Sequence, residues 1–304
     1  MRLVCGLVFS KRSRKIFGML RIEKITALDR LELAPYRSLK RSAEHARLGI
    51  FVVEGDKVLD RLLESDFALV SVLLIEERLA EYEPRLRARA AADLPVYVCA
   101  KPVLAELAGF EIYQGVLAVA RMPAPLTLAA VLAAGPQPRL FVALDGLNNA
   151  ENIGVLMRHC VAFGVSALIA GETCGSLYLR RTVRNSMGAI FKLPVLEAGT
   201  ASGADRSGPS DCPNLVQTLR ELRAGSVRCL AAHPHTDKKK LSQADFTGDC
   251  CVVFGSEGHG ISQEILAECD EAVAIPMAND VDSLNVSAAA AVFLYEANRQ
   301  RGKT

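Results

Sequence analysis

Three short stretches of the 304-residue chain carry side chains whose types and spacing could do chemistry. The first is Asn152-x-Gly154-x-x-x-Arg158, within DGLNNAENIGVLMRHC (145–160). A guanidinium at Arg158 offers a forked set of donors that suits a phosphate. Gly154 lets backbone or ligand approach closely, and Asn149 can cap a following helix. The second is GSEGHGIS (255–262), with three glycines in its first six residues. The third runs from Ile275-Pro276-Met277 to Asp282-Ser283-Leu284-Asn285-Val286-Ser287, an apolar turn followed by Ser283 or Asn285 as helix cap. Each also has a plainer reading: a surface salt bridge for Arg158, a solvated loop for His259, and an ordinary polar cap at Asn285.

The glycine loop invites comparison with the dinucleotide fingerprint G-x-G-x-x-G, yet its spacing is G-x-x-G-x-G. No acidic residue follows at the usual distance after a second strand, and Glu257 would repel a pyrophosphate. A nicotinamide oxidoreductase is therefore the distant alternative.

The elements that must position these stretches can be read from the apolar runs. Strands are expected at LFVAL (140–144), ALIA (167–170), RCLAA (228–232), CCVVF (250–254) and AVAI (272–275). Helices fit residues 151–163, 178–187, 214–223, 262–268 and 285–300. Short, almost wholly apolar strands alternating with helices predict a parallel sheet covered on both faces. Ligands bind outside the carboxyl ends of such strands, and each of the three stretches directly follows one.

A second α/β block precedes this one. It opens with a helix carrying Arg37, Lys40 and Arg41, then alternates strands (50–55, 69–75, 95–100, 115–120) with helices (57–64, a charged segment after 75, 102–108). Between the blocks, MPAPLTLAAVLAAGPQP (122–138) has the composition of a linker. The expected organisation is a flexible basic extension (1–21), a first domain (22–121), the linker (122–138) and a second domain (139–304). GTASGADRSGPSDCP (199–213) reads as a mobile surface loop.

Charge is unevenly spread. Residues 1–48 hold twelve Lys/Arg against four Asp/Glu, whereas the rest hold 24 against 30. That is the footprint of a local nucleic-acid contact, or equally of a solvated basic tail. The nine cysteines include no C-x-x-C pair, so neither a disulfide framework nor a zinc site is suggested and a reducing cytosol fits. No apolar run approaches the roughly 18–20 residues of a membrane span. The apolar stretch of the N-terminus precedes its basic cluster, the reverse of a secretory signal. It reads as a loose extension upstream of Met19, with a mitochondrial presequence as the lesser alternative.

Together and in this order, N-x-G-x-x-x-R, GSEGHGIS and IPM…SLNVS resemble the signature motifs of the SpoU (TrmH-like) RNA 2′-O-ribose methyltransferases of the SPOUT superfamily. The resemblance covers about residues 139–302. FVVEG (51–55) and YQGVLAVARMP (113–123) resemble that family's N-terminal module, a small ribosomal-protein-like α/β domain that binds the substrate. The resemblance implies an α/β protein whose C-terminal parallel-sheet domain holds a deep trefoil knot, although general physics favours an unknotted chain. It implies S-adenosylmethionine as methyl donor, with no metal, bound by backbone groups of Gly255, Ile275 and Leu284 and lined by Met277. Asn152, Arg158, Glu257, Ser283 and Asn285 match the family's polar active-site positions, completed in a homodimer. Ala278-Asn279-Asp280 stands where the family often has a glycine.

Arginine stays protonated in proteins, so Arg158 is expected to grip a phosphate and stabilise a developing alkoxide rather than act as a base. Arg37, Lys40 and Arg41 are expected to contact RNA. Ribosomal RNA is favoured over transfer RNA, because the additional N-terminal module is typical of rRNA-directed members. The alternatives are a tRNA 2′-O-methyltransferase and a catalytically inactive RNA-binding assembly factor. All five polar positions being present argues against the latter.

Overall fold

Strands rich in Val, Leu and Ile pair into two sheets, one per domain, in the computed structural model. It describes residues 19–302 apart from 28, 40, 41, 91, 92, 109–113, 134, 135, 200–212, 235–238 and 280. The first domain runs β1 (Leu20–Lys24), α1 (Ala34–Arg37), α2 (Ser42–Arg47), β2 (Ile50–Glu54), α3 (Asp56–Leu63), β3 (Leu69–Ile75), α4 (Glu76–Arg89), β4 (Leu94–Cys99), α5 (Lys101–Ala108) and β5 (Val116–Arg121). Its sheet order is β1-β4-β3-β5-β2. β4 lies parallel to β1 and β3, while β5 runs antiparallel to β3 and β2.

Two features of this domain differ from the expectation. β1 begins inside the segment expected to be a loose extension and pairs Leu20 with Leu94 of β4. LRIEK is an edge strand with no fully buried residue, so it lacks the apolar run that marks the other strands. The helix expected around Arg37 is two short pieces, α1 and α2, with Lys40 and Arg41 outside the described residues.

The segment expected as a linker contains α6 (Leu128–Ala133), which buries Leu128 and Val131 against the second sheet. The second domain continues β6 (Leu140–Asp145), α7 (Ala150–Ala162), β7 (Ala167–Ala170), α8 (Arg180–Asn185), β8 (Val195–Glu197), α9 (Leu215–Ala224), β9 (Arg228–Ala232), β10 (Cys250–Gly255), α10 (Gln263–Ala267), β11 (Glu271–Val273) and α11 (Val286–Gln300). All pairings in the order β11-β9-β10-β6-β7-β8 are parallel. β8, three residues long, falls below the length at which an apolar pattern is readable.

Along β6, Leu140, Val142 and Leu144 face one core with α7 and α11, while Phe141 and Ala143 face the other with α9. The sheet is thus covered on both faces. From β6 the strands proceed one way to β7 and β8, and the other way lie β10, β9 and β11. The β6–β10 boundary is therefore the switch point at which α/β sheets place their ligands.

Aromatic packing joins the domains: Phe51 of β2 lies 5.1 Å from Tyr178, and Phe67 lies 5.3 Å from Phe191. At the far end of the second sheet, Arg301 acts as a clasp. Its Nε donates to Phe246 O (2.7 Å), Nη1 to Pro138 O (3.0 Å), and Nη2 to Gly248 O (2.7 Å) and Arg139 O (3.1 Å). Beside it, burial works against the charge of Asp249, but the backbone and guanidinium of Arg139 hold its carboxyl below the usual range. Arg301→Ala strips several carbonyls of their partner and should lower stability by about 2–4 kcal/mol. Urea unfolding checks this, and an unchanged midpoint would make the clasp a surface ornament.

Candidate functional site

The site grows from the carboxyl ends of β6 and β10, where Asp145 and Gly255 are paired in register. Asp145 Oδ2 accepts the N–H of Ser262 at 2.7 Å, pinning the far end of the glycine loop to β6. Within the loop, Ser256 and Gly260 exchange backbone bonds of 3.0 and 2.9 Å, and Ser256 Oγ accepts from His259 N at 3.2 Å. Glu257, Gly258 and His259 are thereby presented to solvent at the tip of a tight turn.

Gly255 is needed by that turn, and it also lines the cleft described below. A Cβ there would stand 2.1 Å from Gly260 C and 2.3 Å from Ile261 N. Gly154 likewise serves packing. A Cβ on it would meet Asn185 Cβ at 2.6 Å, so its absence lets α8 lie directly on α7.

Three side chains from distant segments close a triangle. Asn149 caps α7, its Oδ1 accepting from Glu151 N and Asn152 N, which fixes the helix start that carries Asn152. Asn285 caps α11, accepting from Ser287 N at 3.0 Å and Ser287 Oγ at 2.6 Å. Its Nδ2 donates to Glu257 Oε1 (2.8 Å) and Asn152 Oδ1 (3.0 Å), and Asn152 Nδ2 donates to the same Glu257 oxygen at 2.7 Å. Two amides therefore hold one carboxylate by charge-assisted bonds.

This triangle stands at the rim of a cleft of about 550 Å³. Gly255, Ile275, Met277, Ser283, Leu284 and Asn285 all line it, with Phe254, Val273 and Phe293 among the apolar lining. Ser283 faces the cleft and leaves the capping to Asn285. The lining also includes Ala232, His233 and Pro234, which sequence reasoning passed over. The signal was available, because they follow the carboxyl end of β9 as the other loops follow theirs. Among the described residues, no group of His, Cys, Asp and Glu is arranged to hold a metal ion.

Arg158 is placed elsewhere. Six residues of helix turn about 600°, leaving it roughly 120° round α7 from Asn152. It is exposed, makes no hydrogen bond or ion pair among the described residues, and does not line the cleft. Next to it, burial and then the Arg158 charge push the His159 imidazole below its ordinary pKa. Within one chain, then, the expected grouping of Arg158 with Asn152 and Glu257 does not form. Arg37 sits exposed in the last turn of α1, in the other domain, its Nη2 donating to Arg30 O at 3.3 Å.

Comparison with known proteins bears on what the cleft serves. A model of the SpoU rRNA Methylase family matches residues 139–295. An uncharacterized tRNA/rRNA methyltransferase of Mycobacterium bovis is 33% identical over 253 residues, which are 82% of this chain and 81% of that protein. The 23S rRNA (guanosine-2′-O-)-methyltransferase RlmB of Ralstonia nicotianae is 35% identical over 218 residues, 71% of this chain and 81% of that one. The fold matches the crystal structure of the SpoU methyltransferase AviRb from Streptomyces viridochromogenes, in complex with the cofactor AdoMet. The TM-score is 0.75 and the identity 24%, covering 90% of this chain and 100% of that one.

Proposed function

The chain belongs to the SpoU rRNA methylase family of RNA methyltransferases, and from that premise we propose that it methylates a ribose 2′-hydroxyl of ribosomal RNA, using S-adenosylmethionine. The observation that carries this reading is the cleft at the switch point with the Asn152–Glu257–Asn285 triangle on its rim. The similarity to a 23S rRNA 2′-O-methyltransferase supports the ribose target.

The cleft fits such a donor in size and chemistry. About 550 Å³ is within the range of small-molecule sites. Ile275, Met277 and Leu284 offer apolar surface to an adenine and a methionine chain, and the Glu257 carboxylate suits a nearby sulfonium. When bound, S-adenosylmethionine supplies an electrophilic methyl group. The chain's own residues do the positioning. Asn152 and Asn285 fix Glu257 through one oxygen, which leaves Oε2 without a hydrogen-bond partner among the described residues and able to accept from a ribose hydroxyl. As the ribose oxygen bonds the methyl carbon and the carbon–sulfur bond breaks, the hydroxyl proton would pass to Glu257 Oε2, while Arg158 grips the adjacent phosphate and stabilises the negative charge developing on the oxygen.

Because Arg158 lies away from the triangle of its own chain, this mechanism requires a homodimer in which the partner's α7 faces the cleft. α11, which packs against α7, presents Val292 and Tyr295 at 39% and 52% exposure as an apolar face for such a contact. The family's trefoil knot in the C-terminal segment and a ribosomal-protein-like, RNA-binding first domain belong to the same reading, as does a cytoplasmic location. Among the described residues, no helix is long and apolar enough to cross a membrane.

The test is transfer of labelled methyl from S-adenosylmethionine to rRNA from a strain lacking the protein. Label should persist in alkali-resistant dinucleotides, since a 2′-O-methyl group removes the nucleophile that cleaves the strand. Label released in mononucleotides would place the methyl on a base. Donor binding without transfer to rRNA or tRNA would favour a non-catalytic assembly factor.

A further inference from the structure

Between the two domains, β2 ends at Glu54, whose side chain is only 5% exposed. A carboxylate so placed needs cationic partners. Arg180 bonds one of its oxygens, and Arg184 bonds the other at 3.0 Å. Arg184 uses a single N–H for this and stays 54% exposed, so its other donors face solvent.

Neighbouring cations gather at the same seam. Arg181, three residues before Arg184 and thus on the same face of α8, is exposed and makes no hydrogen bond or ion pair among the described residues. Gly188, at φ +84°, brings the chain onto α3. A Cβ there would stand 2.5 Å from Arg61 Cβ, so the 49%-exposed Arg61 emerges beside it. Lys192 is exposed and forms no ion pair among the described residues, but lies near Glu64. The hydrogen bond from Arg61, with the charges of Arg61, Lys192 and Arg85, keeps that carboxyl below its ordinary range. Asp60, also on α3, is bound to Arg85 at 2.6 Å.

Neutralising Glu54 accounts for Arg180 and for one donor of Arg184. It does not account for Arg181 or Lys192, which among the described residues neutralise no acid by direct contact. α8 packs on α7 at Gly154, two residues past Asn152, which puts the seam about one helix diameter, ~10 Å, from the helix carrying Asn152 and Arg158. We propose that this seam, with Arg61, Arg181, Arg184 and Lys192, is an RNA-backbone site that carries the substrate strand from the first domain to the cleft. Forked guanidinium groups suit phosphates, and neutralising a polyanion releases counterions. That the ligand is RNA rests on the methyltransferase reading above.

The test uses the full chain with Arg181→Ala and Lys192→Ala combined, because among the described residues neither holds an ion pair whose loss would unsettle the fold. Lys101→Ala, at the exposed start of α5, is the control. Binding of an rRNA fragment is measured over a range of salt concentrations, beside S-adenosylmethionine calorimetry and thermal unfolding. RNA affinity should fall about tenfold and the slope of log affinity against log salt should flatten by about 1–2. KM for RNA should rise with kcat within about twofold, while donor affinity, unfolding and the control stay unchanged. Unchanged RNA affinity and slope in a protein that still methylates rRNA overturns the seam and spares the methyltransferase reading. An RNA slope that flattens in a protein showing no methyl transfer supports the seam and sinks that reading instead. Wild-type protein that binds acidic peptide but no RNA overturns both.

Discussion

Replacing Arg158 by alanine should cut methyl transfer by about a thousandfold while S-adenosylmethionine affinity stays within about twofold. The side chain is exposed, unpaired among the described residues and outside the donor cleft, so its loss removes no contact that the cleft needs. A permanent cation is also ill-suited to a pocket for a sulfonium of the same sign. Arg158→Lys should remain about a hundredfold impaired, since a point charge does not reproduce a forked grip on phosphate. Mixing Arg158→Ala with Glu257→Ala sharpens the claim that the residue acts across a dimer. Random exchange of subunits gives half heterodimers, each with one intact site, so about a quarter of wild-type activity should return. Near-normal transfer by the alanine variant would make Arg158 a plain helix residue. Silent mixtures would place its action within its own chain.

Gly255→Val should abolish donor binding, by at least about a hundredfold, which corresponds to roughly 2.7 kcal/mol. Any Cβ at this position would sit 2.1–2.3 Å from backbone atoms of Gly260 and Ile261, so the turn must open. Opening it displaces Glu257 from Asn152 and Asn285 and removes one wall of the cleft. Gly258→Ala is the matched control, because a Cβ there meets nothing within 4 Å. Calorimetry with thermal unfolding separates a lost site from a lost fold. A Gly255→Val protein that binds the donor normally would show that this turn does not shape the pocket.

The second sheet was legible because its strands are continuous apolar runs, and that same property fixed where its loops must gather. The contacts that organise those loops were not. Asn152 meets Glu257 across 105 residues and Asn285 across 133, separations that no local spacing encodes. Arg158 is a different case. The family resemblance groups it with Asn152 and Glu257, whereas helical phase turns it to another face of α7 within its own chain. The glycines were legible only in part. Composition reports that a backbone comes close to something, and at Gly154 and Gly255 that something is the protein itself. β1 escaped notice because a half-polar edge strand lacks the run, and the loop after β9 because it carries no motif.

The Arg301 clasp also bears on how the protein is made. Strands of the first sheet are all present once residue 121 has emerged from a ribosome, so that domain can pair them while synthesis continues. The second domain has no such schedule. The carbonyls that Arg301 gathers belong to residues 138, 139, 246 and 248, and α11 supplies the buried Phe293, Leu294 and Ala297 to the core on β6 and β10. Until α11 is made, the face of β6 and β10 that it shares with α7 lacks part of its cover. Phe51 and Phe67 of the earlier domain are already in the chain when Tyr178 and Phe191 are made, so the aromatic contact between the domains needs nothing from α11.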